Sequence, residues 1–278
     1  YSNLSQKKFY TINLEGLQNK FIKTLFIDNQ SLFICPYTGG IYKTDLISHR
    51  LGFPPKSLTD PGIIVSDMKK FRDNSVYAAT STGLFKYSGS EPFGRIPLVN
   101  SYIYCLAEDK YGQQYYGTYT EIITRAEGKP PVSLSSLFPE NETISDTWAW
   151  CIYPDSSENC VWLGTIRKGI IKLNQDQVGR ITSFEVYNRE SELPYFLPDK
   201  HVWDITRDRK GNLWIGTDAG LFRKNEAGIF EQVKIPLLEN QKVISIVEDN
   251  SGCLWLSCSD RLLKYNPENS EVKRYSQN

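Results

Sequence analysis

Asp208-Arg-Lys-Gly-Asn-Leu-Trp-Ile-Gly-Thr-Asp-Ala-Gly-Leu221 is the stretch whose reading decides the fold. A tight Asp-to-Gly turn leads into a short apolar run around a tryptophan. A Gly-Thr pair and then a Gly-aliphatic pair follow. Close relatives occur at Asn159-Cys-Val-Trp-Leu-Gly-Thr-Ile-Arg-Lys-Gly-Ile170 and Asp249-Asn-Ser-Gly-Cys-Leu-Trp-Leu-Ser-Cys-Ser-Asp-Arg-Leu262. Weaker copies are Gly112-Gln-Gln-Tyr-Tyr-Gly-Thr118, Ser75-Val-Tyr-Ala-Ala-Thr-Ser-Thr-Gly-Leu84 and Ser31-Leu-Phe-Ile-Cys-Pro-Tyr-Thr-Gly-Gly-Ile41. The anchoring aromatics Phe33, Tyr77, Tyr115, Trp162, Trp214 and Trp255 recur at intervals of 44, 38, 47, 52 and 41 residues. A unit of that length holding four short strands is the sequence signature of a β-propeller blade.

The fifth unit shows the parsing: Val202 to Thr206, Leu213 to Thr217, Gly220 to Lys224 and Ile229 to Ile235 are strand-like, with Gly, Asp, Asn and Lys in the gaps. In the Asp208 to Gly211 turn the carboxylate can bond its own downstream backbone and glycine accepts positive φ; Asp109 to Gly112 and Asp249 to Gly252 repeat it. The small Gly-Thr pair suits close packing of one blade on the next, which a single blade needs to bury its faces. Helical periodicity is almost absent, Ser133 to Phe138 being the best candidate and a short one. The fold class expected is all-β, a propeller of four-stranded blades at about 19–60, 61–99, 100–140, 141–198, 199–240 and 241–278. Residues 1–18, with Lys8-Phe-Tyr-Thr-Ile-Asn13, read as the outer strand of a preceding blade. That strand either closes a ring or marks a piece of a longer array, such as a seven-bladed ring or a double propeller; the second is the expectation.

With Lys plus Arg equal to Asp plus Glu at 32 each, the chain lacks the concentrated basic face that phosphate binding demands, which argues against a nucleic-acid partner. No apolar run is long enough to span a membrane as a helix. The six cysteines, Cys35, Cys105, Cys151, Cys160, Cys253 and Cys258, mostly occupy different slots of the repeat and are expected to be buried free thiols. With no C-x-x-C and only His49 and His201 to assist, a metal site is not expected. Nucleophile-elbow, zincin, Walker and dinucleotide fingerprints are all missing, so neither a catalytic residue nor a cofactor is expected.

What remains is aromatic crowding where the innermost strands begin. Tyr104, Trp150 and Trp203 share one slot of the repeat; Tyr102, Trp148 and His201 lie two residues earlier, on the same strand face by period two. Asp146, Tyr195 and Asp199 lie in the loops leading in. Two readings fit. The rings fill the space between blades, or they form a flat face on which sugar CH groups pack while hydroxyls meet polar neighbours.

The Asp208 to Leu221 string resembles the two-component regulator propeller repeat, as does the lead-in Leu193-Pro…His201-Val-Trp-Asp-Ile. The resemblance extends over nearly the whole chain. It weakens in the first three units, where Phe33, Tyr77 and Tyr115 replace tryptophan, and at Cys35-Pro36 and Ser257-Cys258, which replace Gly-Thr. It implies the periplasmic sensor region of a Bacteroidetes hybrid two-component system, anchored in the inner membrane. Such sensors carry two propellers, a β-sandwich domain, a membrane helix and a histidine kinase, and pair as homodimers. They detect oligosaccharides and control polysaccharide-utilisation genes. On that resemblance the chain is a non-enzymatic sensor. The alternatives are a lyase resembling the streptogramin-lyase family, with an axial active site, and a protein-interaction scaffold.

Overall fold

The structure is a computed structural model that describes residues 21–45, 57–89, 92–192, 197, 199, 201–239 and 241–275. The expected outer strand at residues 1–18 lies outside them, as do Tyr195 and His49. Among the described residues the chain is all-β and forms six blades of the propeller type, each an antiparallel sheet in simple up-and-down order. The first has three described strands, β1 (Ile22–Asp28), β2 (Ser31–Pro36) and β3 (Tyr42–Asp45). The second comprises β4 (Val65–Lys70), β5 (Val76–Thr80), β6 (Gly83–Tyr87) and β7 (Gly94–Ile96). The third holds β8 (Ile103–Glu108), β9 (Gln114–Thr118), β10 (Ile122–Arg125) and β11 (Val132–Ser133). The fourth holds β12 (Ala149–Asp155), β13 (Cys160–Thr165), β14 (Ile170–Gln175) and β15 (Ile181–Tyr187). The fifth holds β16 (Val202–Arg207), β17 (Leu213–Thr217), β18 (Gly220–Lys224) and β19 (Phe230–Gln232). The sixth holds β20 (Val243–Glu248), β21 (Leu254–Cys258), β22 (Leu262–Tyr265) and β23 (Val272–Tyr275). By compactness the chain divides into two units, Tyr1–Ser101 with the first two blades and Tyr102–Asn278 with the other four.

Two expectations shift in detail. The candidate helix is a single 3₁₀ turn, Leu134–Leu137. The fourth strand of the fifth blade stops at Gln232 rather than reaching Ile235, because Pro236 opens a second 3₁₀ turn, Pro236–Leu238.

The second strand of a blade is its most buried: every residue of β5, β13 and β17 is inside. In β13 and β17 it sits mid-sheet with a neighbouring blade on each face, so both of its faces are apolar. The core is therefore a series of layers between blades. In the second unit one layer runs from Tyr115 and Ile122 to Val161 and Leu173, the next from Trp162 to Ile215 and Phe222, and the last from Trp214 to Leu256 and Leu263. In the first unit Phe33, Val65, Met68 and Phe85 make the corresponding layer.

The glycine of the Gly-Thr pair is required by these layers. A Cβ on Gly164 would lie 2.4 Å from Cys151 Sγ and 2.7 Å from Val202 Cγ1 of the next blade. One on Gly216 would lie 2.6 Å from the Val243 carbonyl oxygen. All six cysteines are free thiols, five of them buried, and burial pushes Cys35 and Cys160 up to about 12. At Cys35-Pro36 and Ser257-Cys258, where the Gly-Thr pair is missing, the chain still forms strand and both cysteines are inside.

Candidate functional site

The two ends of the blades in the second unit differ in chemistry. At the turn joining first and second strands, each aspartate divides its two oxygens between two tasks. Asp208 Oδ1 accepts the backbone N–H of Lys210 and Asn212, closing the turn, while Oδ2 accepts Trp214 Nε1 at 2.8 Å. Asp249 holds Trp255 Nε1 at 3.1 Å, Asp155 holds Trp162 Nε1 at 3.2 Å, and Asp109 accepts the Tyr115 hydroxyl at 3.0 Å. The first unit repeats the device with Asp73 and Tyr77, at 2.8 Å. These carboxylates, turn residues by sequence, are also the partners that let an aromatic polar tip be buried.

A cation completes the unit, and the sequence reading missed it. The residue of the third strand opposite the anchor aromatic is Lys172 for Trp162, Arg223 for Trp214 and Lys264 for Trp255. Each cation lies over its ring, at 5.2, 5.8 and 5.3 Å from the centroid. Lys43 over Phe33 and Lys86 over Tyr77 do the same in the first unit. Where Thr124 stands opposite Tyr115, Gln175 of the next blade bonds Asp109 at 2.5 Å and Tyr115 at 3.0 Å instead. Between the fourth and fifth blades the network is densest: Arg207 pairs with Asp155 and Glu158, and Glu158 also holds Lys172 and Lys224 at 3.0 Å. Burial raises the Asp155 and Glu158 carboxyls, but the hydrogen bonds from these cations outweigh it and hold both below their usual range. Fully engaged groups of this kind stabilise a fold and leave little for a ligand.

The opposite end, where first strands begin, is built differently. The first strand of every blade carries a register shift: Ile103 to Cys105, Ala149 to Cys151 and Val202 to Asp204 in the third to fifth blades. The residue passed over is Tyr104, Trp150 or Trp203. A bulge residue opposes no partner and is re-aimed out of the ladder. Period two alone did not reveal this; the bulge is what presents these rings.

The rings meet as a continuous band. Tyr102 stacks on Tyr104 with centroids 4.4 Å apart and planes at 7°; Tyr104 lies 5.2 Å from Trp148 and 5.7 Å from Trp150. Trp150 meets Trp203 edge-on at 5.0 Å, and His201 lies 6.4 Å from Trp203. All six are half-buried, so the band is neither core nor fully solvated. Burial, with Tyr102 and Tyr119 alongside, raises the Tyr104 phenol above its ordinary value.

The other predicted residues have distinct places. Asp199 is spent on the loop, accepting the backbone N–H of His201 at 3.1 Å and of Ala219 at 2.7 Å. Asp146, exposed and at φ +46°, borders a small crevice with Tyr119, Trp148, Thr165, Arg167 and Lys168.

Sequence reasoning missed three members. Tyr119 packs on Trp148 at 4.5 Å, Asp218 accepts His201 Nδ1 at 2.5 Å and Trp203 Nε1 at 2.7 Å, and Lys242 lies 5.2 Å over the Trp203 ring. Burial opposes ionisation of Asp218, but the His201 and Trp203 hydrogen bonds prevail and keep its carboxyl low. A signal existed: Tyr119 and Asp218 both directly follow a Gly-Thr pair, at the end of a second strand whose Thr118 or Thr217 pairs with the start of the first.

Against known proteins, residues 197–219 match the family model for the two component regulator propeller, and the chain carries that repeat. The matched segment holds Asp199, His201, Trp203 and Asp218. No curated protein matches the sequence. Among solved structures, a catalytically inactive virginiamycin B lyase from Staphylococcus aureus superposes with TM-score 0.70 at 14% identity, over 94% of this chain and 86% of that one. The β-propeller domain of Cps50 (Swd1) from Myceliophteria thermophila gives 0.64 at 10%, over 94% and 87%. The extracellular domain of a B. thetaiotaomicron protein described as a hybrid two-component system gives 0.52 at 18%, over 92% of this chain and 41% of that domain. At these identities the likeness is one of fold.

Proposed function

We propose, for a chain that carries the two-component regulator propeller repeat, that it is a non-enzymatic propeller module of an extracytoplasmic sensor. It receives an oligosaccharide on the aromatic band of Tyr102, Tyr104, Trp148, Trp150 and Trp203. His201, Asp218 and Asp146 supply the polar neighbours. The observation that carries this reading is the band itself: bulges lift large rings out of the ladder and leave them half-open, within and beside the segment that matches the family. Every blade bulges at this point, but in the third to fifth the bulge presents a large half-open ring, and such a ring suits stacking on a sugar. In the parent protein the module would sit in the periplasm beside a second propeller and a β-sandwich domain. Its ligand would bias one arrangement of a paired sensor, through different affinity for two states, and so control a histidine kinase and its polysaccharide-utilisation genes.

Isothermal calorimetry and thermal shift against defined oligosaccharides test this. Saturable binding by one glycan, lost in Trp150→Ala or Trp203→Ala while the fold persists, supports the reading. Silence across a broad panel assigns the rings to packing. A second reading, a lyase, is favoured by the His201–Asp218 pair, in which a carboxylate orients an imidazole as in general-base sites. Catalytic turnover of a bound ligand that is lost in His201→Gln would replace the sensor reading with it.

A further inference from the structure

We infer that the ligand of the aromatic band carries a carboxylate, as a uronic-acid residue does, and that this group is held at the crevice between Trp148 and Arg167. The inference rests on the reading of the band as a glycan site and narrows its class. Its starting point is an orphaned donor. Among the described residues Trp148 Nε1 is buried and has no hydrogen-bond partner. The other indoles that anchor the blades, Trp162, Trp214 and Trp255, each donate to an aspartate, and Trp203 donates to Asp218. A buried donor left unmade is a cost to the fold, and a bound acceptor removes it.

The crevice beside it has a volume of about 20 Å³. That is room for about one water-sized group, hence for a substituent of a sugar and not for its ring. Its lining decides which substituent. The Thr165 hydroxyl is engaged with the Gly169 carbonyl and the Lys168 N–H. Lys168 Nζ is occupied, donating to the Thr143 carbonyl at 2.9 Å and to that of Ser145, and so holds the loop that carries Asp146. Arg167 makes no ion pair or hydrogen bond with any described residue. The groups still open are therefore an indole N–H, a guanidinium and the Tyr119 hydroxyl, with one carboxylate, Asp146. A sugar hydroxyl could satisfy the indole, but the lining sets Arg167 and Lys168 against Asp146 alone and so favours an acceptor that carries negative charge. On this proposal a carboxylate takes the indole N–H and pairs with the exposed guanidinium, while Asp146 takes a neighbouring hydroxyl. Tyr119, 51% exposed and against Trp148, supplies the ring on which that sugar lies. At the far end of the band the carboxylates of Asp218 and Asp199 each already have two donors, so they repel an acidic chain little.

The probe pair is an oligogalacturonide of three to six residues and its methyl ester, which differ in charge and scarcely in shape; glucuronate-containing oligomers and their esters form a second pair. Calorimetry on the 278-residue chain should give at least tenfold tighter binding of a free acid than of its ester, with affinity falling as salt rises. Arg167→Gln should erase that preference, and Trp148→Phe, which keeps a ring but removes the N–H, should weaken acid binding several-fold. Arg223→Gln, at the other end of the blade, should change nothing. Neutral oligosaccharides binding as well as the acids, lost in Trp150→Ala but indifferent to Arg167→Gln, would overturn the acidic class and leave the glycan site standing. No binding by acid, ester or neutral glycan would overturn both.

Discussion

Trp162 and Trp150 sit on adjacent strands of one blade and do opposite things. Trp162 is wholly buried on β13, its indole N–H on Asp155 and its ring beneath Lys172 and Lys224. Trp150 is half-buried on the bulge of β12, among Tyr104, Trp148 and Trp203. The difference generalises along the second unit. One end of each blade closes a turn and satisfies an aromatic tip, and in the fourth to sixth blades covers its ring with a cation, with residues a few positions apart. The other end, in the third to fifth blades, lifts a large ring out of the ladder without enclosing it. A repeat protein can thus keep its stability at one end of its strands and vary the other for recognition.

The sharpest way to break that comparison is to cut the buried end. Trp162→Ala should cost about 3–5 kcal/mol, the range for a fully buried large side chain, read as a lowered denaturation midpoint. Asp155→Ala should cost a comparable amount, since it strands the Trp162 donor and takes from Arg207 one of its two carboxylate partners. A loss under about 1 kcal/mol in either would mean that the turn end is not the anchor of the blade. The same end predicts an acid response. Asp155, Glu158, Asp73 and Asp249 have folded-state carboxyls held below their ordinary values, burial being outweighed in each by hydrogen bonds from cations, hydroxyls, indoles or backbone. A depressed folded pKa adds stability above the unfolded value of about 4. That stability is lost as pH falls through the lower, folded value. Denaturant midpoints should therefore hold between pH 5 and 7 and decline below about 4. Asp155→Asn, lower at neutral pH, should decline less steeply.

The architecture was legible because its signals are local and repeated: the period, the Asp-to-Gly turns, the anchoring aromatics and the Gly-Thr pairs. The cation over each ring was present but hidden. It lies nine residues after Tyr77, Trp214 and Trp255 yet ten after Phe33 and Trp162, since the hairpin between second and third strands varies by one residue. A fixed-spacing search passes over it. The bulge was less accessible still. Strand alternation looks the same on either side of an inserted residue, and only the pairing of Ala149 with Thr165 and Cys151 with Gly164 exposes the step. The aromatic slots were read correctly as neighbours because they occupy equal repeat positions. Asp218 and Lys242 join them through contacts made just beyond strand ends, which position in the repeat suggests only once strand order is known.

At the open end the effects on stability should be smaller and those on recognition larger. Trp150→Ala removes half-exposed edge contacts and should cost about 1 kcal/mol, well below Trp162→Ala, while abolishing glycan binding. Equal destabilisation by the two would end the distinction between the ends. The smallest stability effect is expected from Asp218→Asn. His201 and Asp218 are each about two-fifths exposed, so their pairing is solvent-screened, and its loss should change unfolding free energy by no more than about 0.5 kcal/mol. Asparagine can still accept one hydrogen bond but no longer offers two equivalent anionic oxygens to His201 Nδ1 and Trp203 Nε1. One of the two rings is then released, and the edge of the band it bounds loses its fixed orientation. Affinity for the bound glycan should drop several-fold with the melting temperature unchanged, and that separation of binding from stability is what the open end predicts.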